Sequence, residues 1–206
     1  MAALSKEAGE ELLLSLHRLF EERTYSDLTI ICGDHEFNVH KAVICPRSSF
    51  FAKACDSLFQ EGSTGVVSLP DDDPQIVKLM LHYLYHLDYP RQPGATQGRI
   101  TVSKAEIPDS LKYTGIVIAR NDRVPKSFEE PNLSIHAKLY ALAEKYDMQT
   151  LKTLALEKFK EEVKFHWNTD DFVRAAEEAY TSTLESDRGL RNVVVDAISV
   201  DSNCRE

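Results

Sequence analysis

Five residues in the first third of the chain carry the side chains best able to do chemistry: Cys32, His35, His40, Cys45 and Cys55. Thiolate and imidazole are zinc ligands, but tetrahedral sites favour close pairs such as C-x2-C or H-x3-H. Cys32 and His35 have a usable separation, yet they flank a turn and face different surroundings. A nucleophilic pair from His40 and Cys45 lacks a third group to orient the imidazole, and a buried cysteine beside proline is inert. Asp71, Asp72 and Asp73 could hold Mg²⁺ or Ca²⁺. Standing directly before Pro74, they read more simply as a helix cap with favourable dipole charge. His82 and His86 are four apart on a helix, where metal ligands can sit. No companion glutamate completes a motif, and the apolar face lies mainly elsewhere, so solvated or packing histidines are favoured. A phosphate-cradling glycine loop and a nucleotide fingerprint are both absent from the sequence. The expectation is a protein with no catalytic residue, no cofactor and no metal.

The elements that place these residues can be read from periodicity and punctuation. From Lys6 to Glu22, Leu12, Leu13, Leu16, Leu19 and Phe20 recur at helical spacing opposite glutamates and Arg18. Such a helix either lies on its own domain or pairs with another molecule. Between Tyr25 and Phe51, Leu28 and Ile30 alternate with Thr29 and Ile31, Gly33-Asp34 supplies a turn, and Glu36–Val39 returns as a second strand. Two short helices follow, over His40 to Cys45 with Asn38 as cap, and from Ser48 to about Ser57. Val66–Leu69 reads as a short strand. Asp73 then caps a helix whose first residue is Pro74 and whose apolar face is Ile76, Val77, Met80, Leu81, Leu84 and Leu87.

The stretch 90–131 differs in composition. It holds five of the eight prolines, and its seven Lys/Arg against five Asp/Glu give a formal charge of +2, leaving −11 for the remainder. Only Leu111 to Ala119 reads as capable of forming a strand. A loop of this length is either a functional insertion or partly disordered, and its basic residues could touch an acidic partner or be simply solvated. Helix resumes at Asn132 with Ile135, Leu139, Leu142, Ala143 and Tyr146 on one stripe. A break near Asp147-Met148 precedes Leu151, Leu154, Ala155, Phe159 and Val163. Asn168-Thr169-Asp170 caps a helix bearing Phe172, Val173, Ala176 and Tyr180, and Leu190, Val193, Val194, Ala197 and Ile198 mark a last one.

Composition restricts the partners. The chain has 206 residues, 43% of them hydrophobic and 28% charged, which suits a soluble domain with a real core. A net charge of −9 argues against nucleic acid, whose phosphates need clustered Lys and Arg. No apolar run approaches the roughly 20 residues of a membrane span. The start has helix periodicity broken by glutamates rather than the layout of a secretory signal, and the first three cysteines sit among apolar neighbours. Cytoplasm or nucleus is the expected location.

Taken in order, Ser26-Asp27-Leu28, His40-Lys41-Ala42-Val43, Ser49-Phe50-Phe51, Leu69-Pro70 with Asp72-Asp73-Pro74, and Tyr140–Tyr146 resemble a BTB/POZ domain, most like the stand-alone members abundant in fungi. The resemblance covers 25–163 apart from the insertion. It implies an α+β fold, a small mixed sheet flanked by helical hairpins. Residues 1–24 would form an N-terminal helix, 25–163 the domain interrupted at 90–131, and 164–206 a helical C-terminal extension. It also implies a homodimer, with Leu12, Leu13, Leu16, Leu19 and Phe20 at the self-interface and Asp27 and Lys41 beside them. In the family's ubiquitin-ligase adaptors a hydrophobic-x-Glu motif after the Ser-Phe-Phe helix contacts a cullin scaffold. Phe59-Gln60-Glu61 stands at that place here, and the helices at 170–200 correspond to the pair that widens the cullin groove. The alternative within the family is an oligomeric scaffold or transcription-related module without a ligase contact. A further protein partner would meet the insertion or the last helices.

Overall fold

The computed structural model describes residues 6–56, 64–91 and 131–203. Helix α1, Lys6–Glu22, has the bounds that its periodicity predicts. A three-stranded mixed sheet follows, in the order β2-β1-β3. Strand β1 (Leu28–Cys32) buries every second residue, Leu28, Ile30 and Cys32, as the alternation requires. Gly33, at φ +54°, makes the turn into β2 (His35–Val39), which pairs antiparallel with Ile30 opposite Phe37. Strand β3 (Val66–Ser68) lies parallel to β1 on the other side, with Ile30 opposite Val67.

The crossover from β2 runs through α2 (Lys41–Ile44), a 3₁₀ turn at Cys45–Arg47 and α3 (Ser49–Asp56). The expected cap of α2 is wrong. Asn38 stays in β2, where its side chain accepts a hydrogen bond from the Thr29 hydroxyl (3.1 Å). Asp27 caps α2 from a distance, accepting the backbone N–H of Lys41 at 2.7 Å. A carboxylate held at a strand entrance can reach an orphan donor that the nearer asparagine, committed to the sheet, cannot.

Helix α4, Pro74–His86, is the centre of the fold. Asp73 caps it by accepting the Gln75 N–H at 2.9 Å, and eight of its 13 residues are buried. Leu87 leaves the predicted apolar face: it is the C-cap, left-handed at φ 60°, and half of it meets solvent. Ending the helix there lets its N–H close on the Tyr83 carbonyl (2.9 Å). Tyr85 of α4 is fully buried and reaches the hairpin. Its hydroxyl accepts the His40 N–H (2.9 Å) and sits 2.8 Å from His40 Nδ1, while His40 Nε2 lies 2.6 Å from the Thr24 carbonyl. A carbonyl only accepts, so the neutral ring carries its proton on Nε2 and the tyrosine donates to Nδ1.

Four further helices complete the chain: α5 (Leu133–Lys145), α6 (Gln149–His166), α7 (Asp170–Thr181) and α8 (Gly189–Asn203). The break between α5 and α6 falls at Asp147, at φ 55°. Helix α6 runs three residues past the expected start of the C-terminal extension. On α7 the predicted face is rotated: Phe172, Ala175 and Ala179 are buried, while Val173 is 65% and Tyr180 52% exposed. The two alanines let α7 approach closely, so the smaller side chains win the interface.

Both stems of the 92–130 segment meet one buried carboxylate on α6. Glu162 Oε1 accepts the Asn132 N–H (3.0 Å) and the Arg91 guanidinium (2.5 Å), and its Oε2 lies 2.7 Å from His136 Nε2. The Tyr89 hydroxyl contacts His136 Nδ1 at 2.9 Å, and Lys158 donates to the Tyr89 carbonyl at 2.8 Å. Burial alone would push the Glu162 carboxyl up. His136, Arg91 and the Asn132 N–H outweigh it and hold the group below its ordinary value.

Tyr85→Phe is expected to leave the buried His40 N–H and ring nitrogen without their partner, lowering unfolding free energy in urea by about 1–3 kcal/mol. Glu162→Ala strands buried His136 and Asn132 groups and should cost about 3–5 kcal/mol near neutral pH. Because the folded pKa of Glu162 is depressed, its contribution is complete above the ordinary value of 4.5 and is lost as pH falls through the lower folded one. Denaturant melts of wild type and Glu162→Ala should therefore converge in acid.

Candidate interaction surfaces

The residues with chemical potential are scattered by the fold. Cys32 is buried and its thiol meets the Asp72 carbonyl at 3.2 Å, whereas His35 is exposed at the turn beside Phe37. His40 is committed to Tyr85 and Thr24. Burial, followed by a contact with Cys55, pushes the Cys45 thiol up to about 12, a value at which almost no thiolate exists near neutral pH. Among the described residues no group of three His, Cys, Asp or Glu is arranged to hold a metal ion. Nor is any described helix long and apolar enough to cross a membrane.

The aspartate triplet caps α4, as read, and also binds α5. Asp72 accepts from Lys145 Nζ at 2.8 and 2.9 Å and from the Tyr146 hydroxyl at 2.5 Å, while Asp73 pairs with Lys138 at 3.3 Å. Arg47 donates to the Leu84 carbonyl and lies 5.3 Å from the Tyr83 ring centre. Asp27 and Lys41 are thus joined inside the chain, through the backbone of α2.

Helix α1 lies on α4 and buries none of its own residues fully. Leu19 and Phe20 pack against the core, and Leu13 and Leu16 are half-buried. Leu12 is 58% and Leu14 56% exposed. Two residues apart on a helix means about 160° around it, so Leu12 extends the Leu16–Leu19 stripe and Leu14 stands nearly opposite. Three imidazoles line the seam with α4: His17 stacks on His86 at 4.1 Å and His86 on His82 at 3.8 Å. Burial, then the neighbouring imidazole, lowers both His17 and His86 below the ordinary histidine value, and Glu21 opposes this in part. Phe59 and Glu61 lie outside the described residues.

The C-terminal helices are docked by carboxylates that periodicity did not reveal. Asp171 of α7 accepts from the Ser134 N–H (3.2 Å) and hydroxyl (2.5 Å) at the start of α5. Asp187, before α8, accepts from the Tyr140 hydroxyl (2.6 Å) and the Gly189 N–H (3.1 Å) and pairs with Lys152 at 2.7 Å. Lys152 also binds Glu144 at 2.6 Å. Burial raises and these donors lower the Asp187 pKa, with a net depression. Buried Arg191 of α8 donates to the carbonyls of Ala179 (3.1 Å) and Thr183 (2.8 Å), closing the end of α7, and its guanidinium lies 5.1 Å from the Tyr180 ring centre. Val173 and Tyr180 on α7, with Val195 and Ile198 on α8, remain exposed apolar residues on this docked pair.

Comparison with known proteins places the first half of the chain in a domain family. The BTB/POZ domain model matches residues 16–100, from within α1 through the sheet and α4. TD and POZ domain-containing protein 4 of Mus musculus is 25% identical over 139 residues, covering 68% of this chain and 36% of the mouse protein. BTB/POZ domain-containing protein 1 of Schizosaccharomyces pombe is 27% identical over 145 residues, covering 60% of this chain and 10% of the yeast protein. The chain therefore spans well under half the length of these relatives. The structure titled BTB domain of zebrafish PATZ1 aligns at TM-score 0.47 and 15% identity, over 78% of this chain and 98% of that one. With the family model falling on the same hairpin, Ser-Phe-Phe helix and aspartate-capped α4 that carry the sequence motifs, the chain carries a BTB/POZ domain, a protein–protein interaction module.

Proposed function

We propose that this protein is a non-catalytic adaptor that pairs with a second copy of itself through α1 and joins a partner, a cullin scaffold, to whatever its remaining surfaces recruit. The observation that carries the self-association reading is the incomplete burial of α1. Its leucine stripe lies half covered on α4 and continues into exposed Leu12, leaving apolar area that a second helix can bury at about 25 cal/mol per Å². Asp27 and Lys41, joined to each other at the start of α2, are the further candidates for this interface.

For the cullin reading, the support is the family resemblance together with a docked pair of helices after the domain. Phe59 and Glu61 are the proposed contacts, an apolar anchor and a rim carboxylate. The α7–α8 pair, held in place by Asp171, Asp187 and Arg191, would extend that surface with Val173 and Tyr180.

Leu12→Asp is expected to weaken self-association by about thirtyfold, the effect of removing one anchoring side chain of about 2 kcal/mol, while Leu14→Asp on the opposite side changes little. Light scattering across a dilution series checks this, and a monomeric wild type removes the claim. Cullin capture from cell extract should be lost in folded Phe59→Ala and Glu61→Ala variants. Undiminished capture by both variants would sink the contact assignment. Absence of capture by wild type would leave a self-associating scaffold without a ligase role.

A further inference from the structure

The seam between α1 and α4 is built around aromatic nitrogen rather than aliphatic carbon. His17, contributed by α1, lies against His86 with ring centres 4.1 Å apart and planes at 17°. His86 lies against His82, one helical turn away, at 3.8 Å and 13°. Phe20 meets both α4 rings edge-on, at 6.1 Å from His82 and 5.7 Å from His86. His82 Nδ1 is 2.9 Å from the Asp88 carbonyl and His86 Nδ1 is 3.1 Å from the His82 carbonyl, so in the neutral rings each Nδ1 donates its proton and Nε2 carries the lone pair. His17 Nε2 is buried without a hydrogen-bond partner. A proton added there has no acceptor, and a second or third positive ring would face the first at van der Waals distance.

We propose that this three-imidazole stack is an acid-sensitive latch, holding α1 against α4 when the rings are neutral and releasing it when they take up protons. The groups acting on His17 and His86 are the neighbouring imidazoles, the His82 carbonyl that takes the His86 Nδ1 proton, and Glu21 of α1, whose carboxylate acts on both rings. Phe20, and Tyr85 against which Phe20 packs at 4.8 Å, complete the wall without charge. Burial, followed by the adjacent ring, depresses His17 and His86, and Glu21 offsets only part of this. A histidine depressed in the docked form binds fewer protons there than when released. Docking is therefore complete above the ordinary value of 6.5 and weakens as pH falls below it, through the depressed docked values. Because α1 has no fully buried residue, a modest proton-linked change is enough to shift it.

The latch acts within one chain and does not require the self-association reading. If α1 also forms the self-interface, acid would weaken that interface, but the measurement below stands without it. Amide hydrogen exchange on the full chain, corrected for intrinsic rates, would be compared at about pH 7.5 and about pH 5.5. Protection across Lys6–Glu22 is expected to fall about tenfold or more in the wild type while β1 keeps its protection. His17→Phe retains a stacking ring that cannot titrate and should show a much smaller fall. Glu21→Gln removes the group that favours the charged rings in the docked form, so the docked values fall further and the loss of protection at about pH 5.5 should be larger than in the wild type. Equal loss of protection in His17→Phe and wild type, or unchanged protection in wild type, would overturn the latch. Proton NMR of the histidine ring protons gives a check that needs no variant: a His17 midpoint at or above 6.5 contradicts it.

Discussion

Burial of α4 is the constraint on which the other elements depend. Eight of its 13 side chains are inside, so it needs cover on nearly every side, and α1, α2 and α5 all pack against it. Each neighbour is attached by a different group on or beside the same helix. Tyr85 reaches the hairpin through His40, His86 and His82 meet α1, the Leu84 carbonyl takes Arg47, and Asp72 and Asp73 hold α5. Apolar burial supplies most of the driving force, at about 1.5–3 kcal/mol for each large side chain. The polar links add little net free energy but decide which neighbour sits where, since each is costly to leave unpaired.

A second set of polar links governs the later half. Glu162 gathers both stems of the 92–130 segment, Asp171 ties α7 to α5, and Asp187 ties the start of α8 to Tyr140 and Lys152. Buried carboxylates carry a desolvation cost that only several good donors offset, and each of these has at least two. The consequence is that α7 and α8 are held in place with apolar residues of both, Val173, Tyr180, Val195 and Ile198, left at the surface. A protein that works by contact needs such fixed surfaces, because binding then costs little ordering.

Local order was legible where one residue's neighbours in sequence are also its neighbours in space. The bounds of α1, the alternation in β1, the Asp73–Pro74 start of α4 and the break at Asp147 all follow from period, cap and turn chemistry. The errors arose where a distant group intervened. Asn38 lost the α2 cap to Asp27, 14 residues before Lys41. Val173 and Tyr180 yielded the buried face of α7 to Ala175 and Ala179, because α5 approaches closely there. Leu87 has the right period for α4 and still falls outside it, at a left-handed C-cap.

The sequence by itself determined the kind of domain: the order of hairpin, Ser-Phe-Phe helix and capped helix is a linear pattern, and the absence of paired ligand spacings is a linear fact. It also placed the leucine stripe on α1. Only the tertiary structure decided what His17, His82, His86 and Glu162 do. His17 and His86 are far apart in the chain, and nothing in their local spacing says that their rings stack. Glu162 looks like one more solvent-facing glutamate on a charged helix until Arg91, Asn132 and His136 converge on it. The physical reason is common to both: hydrophobic period is a property of adjacent residues, whereas pairing of a buried polar group depends on donors brought from elsewhere.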